Sequence, residues 1–98
     1  MSKIKIFPII VQDNDTKEVL MLAWGEKKTI EKTKKNGYSY FFSRSRKKIW
    51  IKGEKSGNYQ IIKEIRKDCD NDCFLYIVDQ VNKITCHKNK KSCFYKNV

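Results

Sequence analysis

All four cysteines and the only histidine of this chain fall in its last third, interleaved with aspartate: Asp68-Cys69-Asp70-Asn71-Asp72-Cys73, then Thr85-Cys86-His87, then Ser92-Cys93-Phe94. This clustering constrains the fold because the chain has only 98 residues. A chain of that length buries about 60–68% of the surface its extended form exposes, so its core is small and a metal or a partner subunit is the expected reinforcement. Thiolates are strong zinc ligands, and zinc draws four ligands from Cys, His, carboxylate or water. Three carboxylates on alternate residues make a harder kind of site, suited to magnesium or to a water network. A soft cluster beside a hard one points to metal-assisted chemistry on a charged substrate.

The formal net charge of +11 is unevenly spread. Residues 43–67 carry nine basic and two acidic side chains, whereas residues 68–83 carry four acidic and one basic. Such a field attracts anions: nucleic acid, phosphorylated metabolites or an acidic membrane surface. Part of the lysine is plain solvated face, but the paired arginines of Ser43-Arg44-Ser45-Arg46 are less easily explained that way. No apolar run approaches the roughly 20 residues that span a bilayer. The first eight residues lack the continuous apolar region of a signal peptide. A cytoplasmic location is therefore expected, and in a reducing compartment the cysteines read as ligands or buried thiols rather than disulfides.

The pattern predicts strands over 4–11 and 19–24 paired as a hairpin, with Pro8 arguing for an edge position or a bend. A short surface helix follows over 26–35, closed by Gly37 and completed on one face by Ile30, Thr29 and Thr33. Trp24, just before it, reads as a core aromatic rather than a stacking platform. Further strands are expected over 38–42, 48–51, 59–65 and 74–78, with a basic turn at 43–47 and a turn at 80–83. Ile84-Thr85 reads as the start of a last short strand, and Phe94 and Tyr95 as residues that dock on the core. The loop 52–58 combines two glycines, a serine and two lysines, a composition that wraps an anion with backbone N–H groups and charge. It lacks the spacing of a nucleotide-triphosphate P-loop. The fold class is α+β, a small, mainly antiparallel β fold with one short surface helix, forming a single domain over residues 1–98.

If residues 68–73 run extended, Asp68, Asp70 and Asp72 share one face and Cys69 and Cys73 the other. Converging carboxylates repel, so a cation or a bound arginine or lysine is the natural compensation; a plain acidic surface loop is the alternative. Cys86 and Cys93 can meet across a tight loop, while Cys69 or Cys73 must approach by tertiary or subunit packing. Four thiolates would make a closed structural zinc site; three plus an exchangeable water would activate that water. Cys73, next to the apolar run 74–78, reads as a buried free thiol. His87 directly follows a proposed ligand, and a proton-transfer role suits it better than direct ligation. A zinc-stabilised basic nucleic-acid-binding module without catalysis is the main competing reading, resting on Arg44, Arg46 and the aromatics of 38–50. A small metal-stabilised dimer without catalysis is another.

The strings VQDNDTKEVLMLAW, FFSRSRKKIW, KGEKSGNYQ, DCDNDCFL and TCHKNKKSCF, in that order and with Asn36-Gly37 between the first two, cover most of the chain. Together they make it resemble the phosphoribosyl-AMP cyclohydrolases of histidine biosynthesis. The resemblance implies a zinc- and magnesium-dependent hydrolase, an intertwined homodimer, that opens the adenine ring of 1-(5-phosphoribosyl)-AMP at the N1–C6 bond. Its substrate is a small phosphorylated nucleotide rather than a nucleic acid, and no membrane is involved. Residue by residue, it implies zinc on Cys69, Cys86 and Cys93, with one of the three from a neighbouring subunit. It places magnesium on Asp68, Asp70 and Asp72, and a general base at His87. Ser43, Arg44, Ser45 and Arg46, with Lys52, Gly53, Ser56 and Gly57, match segments that line the substrate pocket. The sequence departs from the family pattern at Lys55, where threonine is usual, and at Asn58, where histidine is usual. It shows no second domain resembling the pyrophosphohydrolase sometimes fused to these enzymes, so the single-step protein is expected.

Overall fold

A computed structural model describes residues 5–98. Ile4, at the start of the first expected strand, lies outside them. Strands β1 (Phe7–Asp13), β2 (Val19–Gly25), β5 (Gln60–Lys67) and β6 (Phe74–Gln80) form one sheet in the order β2-β1-β6-β5. Strands β3 (Tyr40–Ser43) and β4 (Lys48–Ile51) form a separate hairpin, and helix α1 (Lys27–Asn36) lies between β2 and β3 in sequence. Only the β1–β6 pair is parallel. The expected α+β, mainly antiparallel architecture is therefore the observed one.

Strand β1 alternates cleanly, with Phe7, Ile9 and Val11 buried in the core. It is central, not an edge: Pro8 faces Trp24 of β2 in register, but the ladder to β6 begins only at Ile9. The missing proline N–H thus falls where β1 has a single neighbour. Leu20, Met21 and Ala23 of β2, Phe41 of β3, and Tyr76 and Val78 of β6 complete the core. The outer strand β5 exposes Lys63, Glu64, Arg66 and Lys67, and its register shifts between Ile62 and Glu64. Charge and a bulge on an edge strand are two ways of discouraging pairing with other chains.

Helix α1 is short, and its ends are set by side chains. Glu26 accepts from the Thr29 amide at 3.2 Å while the Thr29 hydroxyl accepts from the Glu26 amide at 3.2 Å. Gly37, at φ +78°, stops the helix by donating to Thr33 O at 2.9 Å. Thr29 and Thr33 are fully buried, as the helical face required. The Thr33 hydroxyl lies 3.0 Å from the Tyr76 hydroxyl and accepts from the Tyr40 amide at 3.1 Å, and Tyr76 donates to Tyr40 O at 3.1 Å. Helix, central sheet and β3 are thereby locked together where β3 begins. The stack of Phe41 between Trp50 and Tyr76, with ring centroids 5.1 and 5.6 Å apart, carries the hairpin down onto the sheet.

Three local expectations are corrected. Ile84-Thr85 is not a strand: it follows a 3-10 turn (Val81–Lys83), and the Thr85 hydroxyl is consumed by Gln80 Oε1 at 2.7 Å. Phe94 and Tyr95 do not dock on the core; both are exposed. Residues 68–73 are a turn rather than an extended run, closed by Asp68 N donating to Cys73 O at 3.0 Å, with Asn71 at φ +61°.

Candidate functional site

One side of the molecule carries an open groove of about 1200 Å³ between β2, the β3–β4 hairpin and the loop after β4. Its wall includes Met21 to Trp24 of β2, then Phe42, Ser43, Arg44, Ser45 and Arg46, and residues 48–56. The hairpin turn is tight: the Ser43 hydroxyl accepts from the Arg46 amide at 3.2 Å, and Ser43 O accepts from the Lys47 amide at 2.8 Å. That turn pushes both arginines outward, exposed, on one rim. The loop is shaped by Gly53 at φ +94°, where an added Cβ would sit 2.5 Å from Tyr59 N, and by Gly57 N donating to Gly53 O at 2.8 Å. Arg44, Arg46, Lys48, Lys52 and Lys55 surround the groove against a single acid, Glu54. Its electrostatics therefore favour a polyanionic small molecule. Of the residues the sequence assigned to substrate, all but Gly57 line this groove.

The thiols divide into two groups. Cys86 is buried and Cys93 exposed, and the two side chains interact. Partial desolvation of its sulfur raises the Cys93 thiol above its usual value, the neighbouring Cys86 adds to the rise, and the Lys52 ammonium opposes it. Lys52 thus lines the groove wall and also lies close enough to Cys93 to act on its charge. The Cys86 loop is closed by the Thr85 and Cys86 amides on Lys90 O, at 3.0 and 2.9 Å. The Lys88 amide points at Cys86 Sγ, 3.5 Å away. Cys93 is tied to the edge of β2 by its amide donating to Leu20 O at 2.7 Å, beside Ser92, whose hydroxyl donates to Val19 O at 2.7 Å. His87 is exposed on the same turn.

Cys69 does not join this pair. It sits on the turn before β6, whereas Cys86 follows the far end of that seven-residue strand. At about 3.3 Å per residue the strand alone holds the two ends on the order of 20 Å apart. Asp68, Asp70 and Asp72 stay with Cys69, and their carboxylate oxygens converge within 4.8 Å of one another. This is the only such trio of potential metal ligands among the described residues. Convergence comes from the turn, not from strand alternation: Asp68 Oδ1 accepts from the Asp72 amide at 3.0 Å, and that backbone bond is the main cause holding the Asp68 carboxyl below its usual range. Cys73 is only half-buried and its thiol is directed at Phe74 O, 3.9 Å away; burial, then the charges of Asp68 and Asp72, push its pKa up.

Two residues of the site were not picked out by sequence. Trp24 was read as core, yet it lines the groove half-buried, with the Arg44 guanidinium 4.1 Å above its ring. Gln80, buried, donates to Asn58 O and Tyr59 O on one side and accepts from the Thr85 hydroxyl on the other. It connects the groove loop to the cysteine turn. Its only sequence signal is an amide in an apolar strand.

A small α+β domain with a cationic groove, a thiol pair at its edge and a separate carboxylate trio has the make-up of an enzyme that handles a phosphorylated small molecule with a metal. Comparison with known proteins narrows the class. The family model for phosphoribosyl-AMP cyclohydrolase matches residues 21–95. The chain is 50% identical over 93 residues to the phosphoribosyl-AMP cyclohydrolase of Archaeoglobus fulgidus, covering 95% of this chain and 85% of that one. It is 46% identical to the phosphoribosyl-AMP cyclohydrolase of Methanospirillum hungatei, covering 95% and 70%. It is 53% identical to the histidine biosynthesis bifunctional protein HisIE of Thermotoga maritima over 93% of this chain, and spans 47% of that longer protein. The chain belongs to the phosphoribosyl-AMP cyclohydrolase family. Among the described residues no helix is long and apolar enough to cross a membrane.

Proposed function

We propose that this chain, as a homodimer of single domains formed by residues 1–98, adds water across the N1–C6 bond of 1-(5-phosphoribosyl)-AMP. The water oxygen bonds to C6, the N1–C6 bond breaks, and N1 keeps its electron pair and takes up a proton. C6 becomes a carboxamide on the imidazole, and N1 remains in a formamidine link to the second ribosyl phosphate. The observation that carries this reading is Lys52, which belongs at once to the cationic groove and to the surroundings of the Cys86–Cys93 pair. A substrate whose phosphates lie along Arg44, Arg46 and Lys52 would present its ring to the thiol edge. Ser43, Ser45, Gly53, Ser56 and Gly57 shape the walls around it, and His87 receives the proton that the attacking water sheds.

The donor set fits a thiophilic cation. A buried sulfur that accepts a backbone N–H, beside a second thiol, is an arrangement that tolerates thiolate charge once a cation is present. Zinc would be held by Cys86 and Cys93 of one copy and Cys69 of the other, because the length of β6 keeps Cys69 away from its own groove. When bound, zinc supplies Lewis acidity that brings the pKa of water toward neutrality. The oxygens of Asp68, Asp70 and Asp72 fit a hard cation, and magnesium there supplies charge to organise phosphate or water. Because that trio travels with Cys69, it too reaches the groove from the partner copy.

The test follows ring opening by absorbance with and without a zinc chelator, alongside the metal content of Cys86→Ser. Chelation is expected to abolish turnover, added zinc to restore it, and Cys86→Ser to purify without zinc. Full zinc occupancy in Cys86→Ser would show the ligand assignment to be wrong, and turnover indifferent to chelation would remove zinc from the reaction.

A further inference from the structure

We propose that Trp24 is a positioning residue for the phosphate-binding arginine: its indole face holds the Arg44 guanidinium flat, so that the N–H edge of the fork is presented to the substrate anion. The inference rests on the reading of the groove as the substrate site and deepens it. Arg44 leaves the hairpin turn exposed, and an exposed arginine samples many rotamers, so an anion that captures it must order it first. Here the guanidinium lies 4.1 Å from the Trp24 ring centre, and among the described residues it forms no ion pair. The distinction matters chemically. A carboxylate partner would neutralise the guanidinium and occupy the donors that bind phosphate. An aromatic face uses only the π surface and leaves the five N–H donors of the edge free.

The platform is set in the sheet. Trp24 sits on the regular part of β2, in register with Pro8 of central strand β1, and is half-buried. The arginine is exposed on a turn while the tryptophan is half-buried on a strand, so the tryptophan is the better-held partner and sets the geometry. Glu54 is the one carboxylate lining the groove. The reading of Trp24 as a mere core aromatic leaves both its place on the groove wall and the stacked cation without a role.

A cation–π contact at an exposed site is worth about 0.5–1 kcal/mol, which sets the expected effect at roughly two- to five-fold. Trp24→Met keeps apolar bulk and removes the π face; Trp24→Phe keeps a face. The experiment measures KM and kcat for phosphoribosyl-AMP in Trp24→Met, Trp24→Phe, Arg44→Ala and the double variant Trp24→Met/Arg44→Ala. The expected result is a KM raised two- to five-fold in Trp24→Met with kcat held, a smaller rise in Trp24→Phe, and a larger rise in Arg44→Ala. In the Arg44→Ala background, Trp24→Met adds nothing further, because the residue acts only through the arginine. A KM effect of Trp24→Met that persists undiminished without Arg44 assigns Trp24 a packing role and overturns the inference. If Arg44→Ala leaves KM unchanged, the groove assignment itself fails, a separate outcome. A second measurement uses Trp50→Phe, which leaves Trp24 as the sole tryptophan. Inorganic phosphate is expected to change its emission, and that change is expected to vanish with Arg44→Ala; an unchanged emission in the presence of saturating phosphate counts against the inference even if Trp24→Met does not fold.

Discussion

Gln80→Met tests the connection between the groove loop and the cysteine turn. Gln80 Nε2 reaches Asn58 O at 3.0 Å, Tyr59 O at 3.1 Å and Val81 O at 3.4 Å, and Oε1 accepts from Gln60 Nε2 at 2.9 Å and Thr85 Oγ1 at 2.7 Å. An amide nitrogen has two hydrogens, so about four of these bonds operate at once. Methionine fills similar space but makes none of them. Tyr59 O keeps the Val81 amide at 2.9 Å, so the carbonyl side partly recovers. The donors do not. The Thr85 hydroxyl and the Gln60 amide are both buried, and Gln60 is left with only the Met21 sulfur at 3.5 Å; its Oε1 already has no partner. Two stranded donors at about 1–3 kcal/mol each, offset in part by the better burial of methionine, give an expected loss of roughly 2–4 kcal/mol. A domain of this size has roughly 5–15 kcal/mol in all, so the variant still folds. Urea unfolding followed by tryptophan emission, at one fixed protein concentration because of the proposed dimer, reads the loss directly. Thr85→Val, which removes one donor and leaves Gln80 Oε1 with Gln60, should cost only about 1 kcal/mol. The refuting result is a Gln80→Met loss no larger than that of Thr85→Val: the amide would then not be the common partner of the two segments.

Three further outcomes are expected. Tyr76 is buried, and burial raises its hydroxyl pKa well above 10 despite the Thr33 hydroxyl. Its neutral form contributes stability that is complete below the unfolded-state pKa of about 10 and lost as pH rises above it. Tyr76→Phe should therefore be less stable than the parent by about 1–2 kcal/mol at neutral pH, with the gap narrowing above pH 10 in pH-stepped denaturation. Gly53→Ala drives a methyl into the backbone at Tyr59 and should lower stability by roughly 1–3 kcal/mol and raise KM, whereas Gly57→Ala, with open space around it, costs only the left-handed backbone, about 1–2 kcal/mol; thermal melts and kinetics separate the two. Asp68→Ala and Asp70→Ala should both weaken activity and its response to added magnesium on the proposed assignment, but only Asp68→Ala should also speed hydrogen exchange of the Asp72 amide, which Asp68 alone holds.

Elements decided by local chemistry were legible in the sequence. The β1–β2 hairpin follows from two apolar runs around an Asp-rich turn, and α1 from Gly37 and the Thr29–Thr33 face. What misled was information that only tertiary structure holds. Pro8 signals an edge by its missing N–H, but β1 is central because β6 joins one residue later. Thr85 looks like a strand former, but its hydroxyl is claimed by Gln80 from an adjacent strand end. An extended run would have brought the aspartates together by strand alternation; they converge instead through a turn in which Asp68 caps Asp72.

The candidate site divides along the same line. Its chemistry was legible because residue type and order carry it: arginines on a tight turn, glycines in a cationic loop, thiols in two short strings. Its geometry was not, because β6 intervenes. A strand about 20 Å long lying between Cys69 and Cys86 is invisible in the spacing of seventeen residues, which a compact loop would bridge easily. The same strand explains why a small chain would be tied to a partner. The Asp68–Asp70–Asp72 trio and Cys69 sit on the turn before β6, while Cys86 and Cys93 lie beyond its other end and none of these residues lines the groove. In the proposed homodimer, pairing two copies would supply each with what the other displays and would add buried surface that 98 residues alone do not provide. On that proposal, assembly and activity would share one dependence on the turn at 68–73. Lengthening β6 by two residues, which preserves its alternation, would shift that turn by about 7 Å and should cost zinc affinity and turnover together while leaving the Arg44 groove intact.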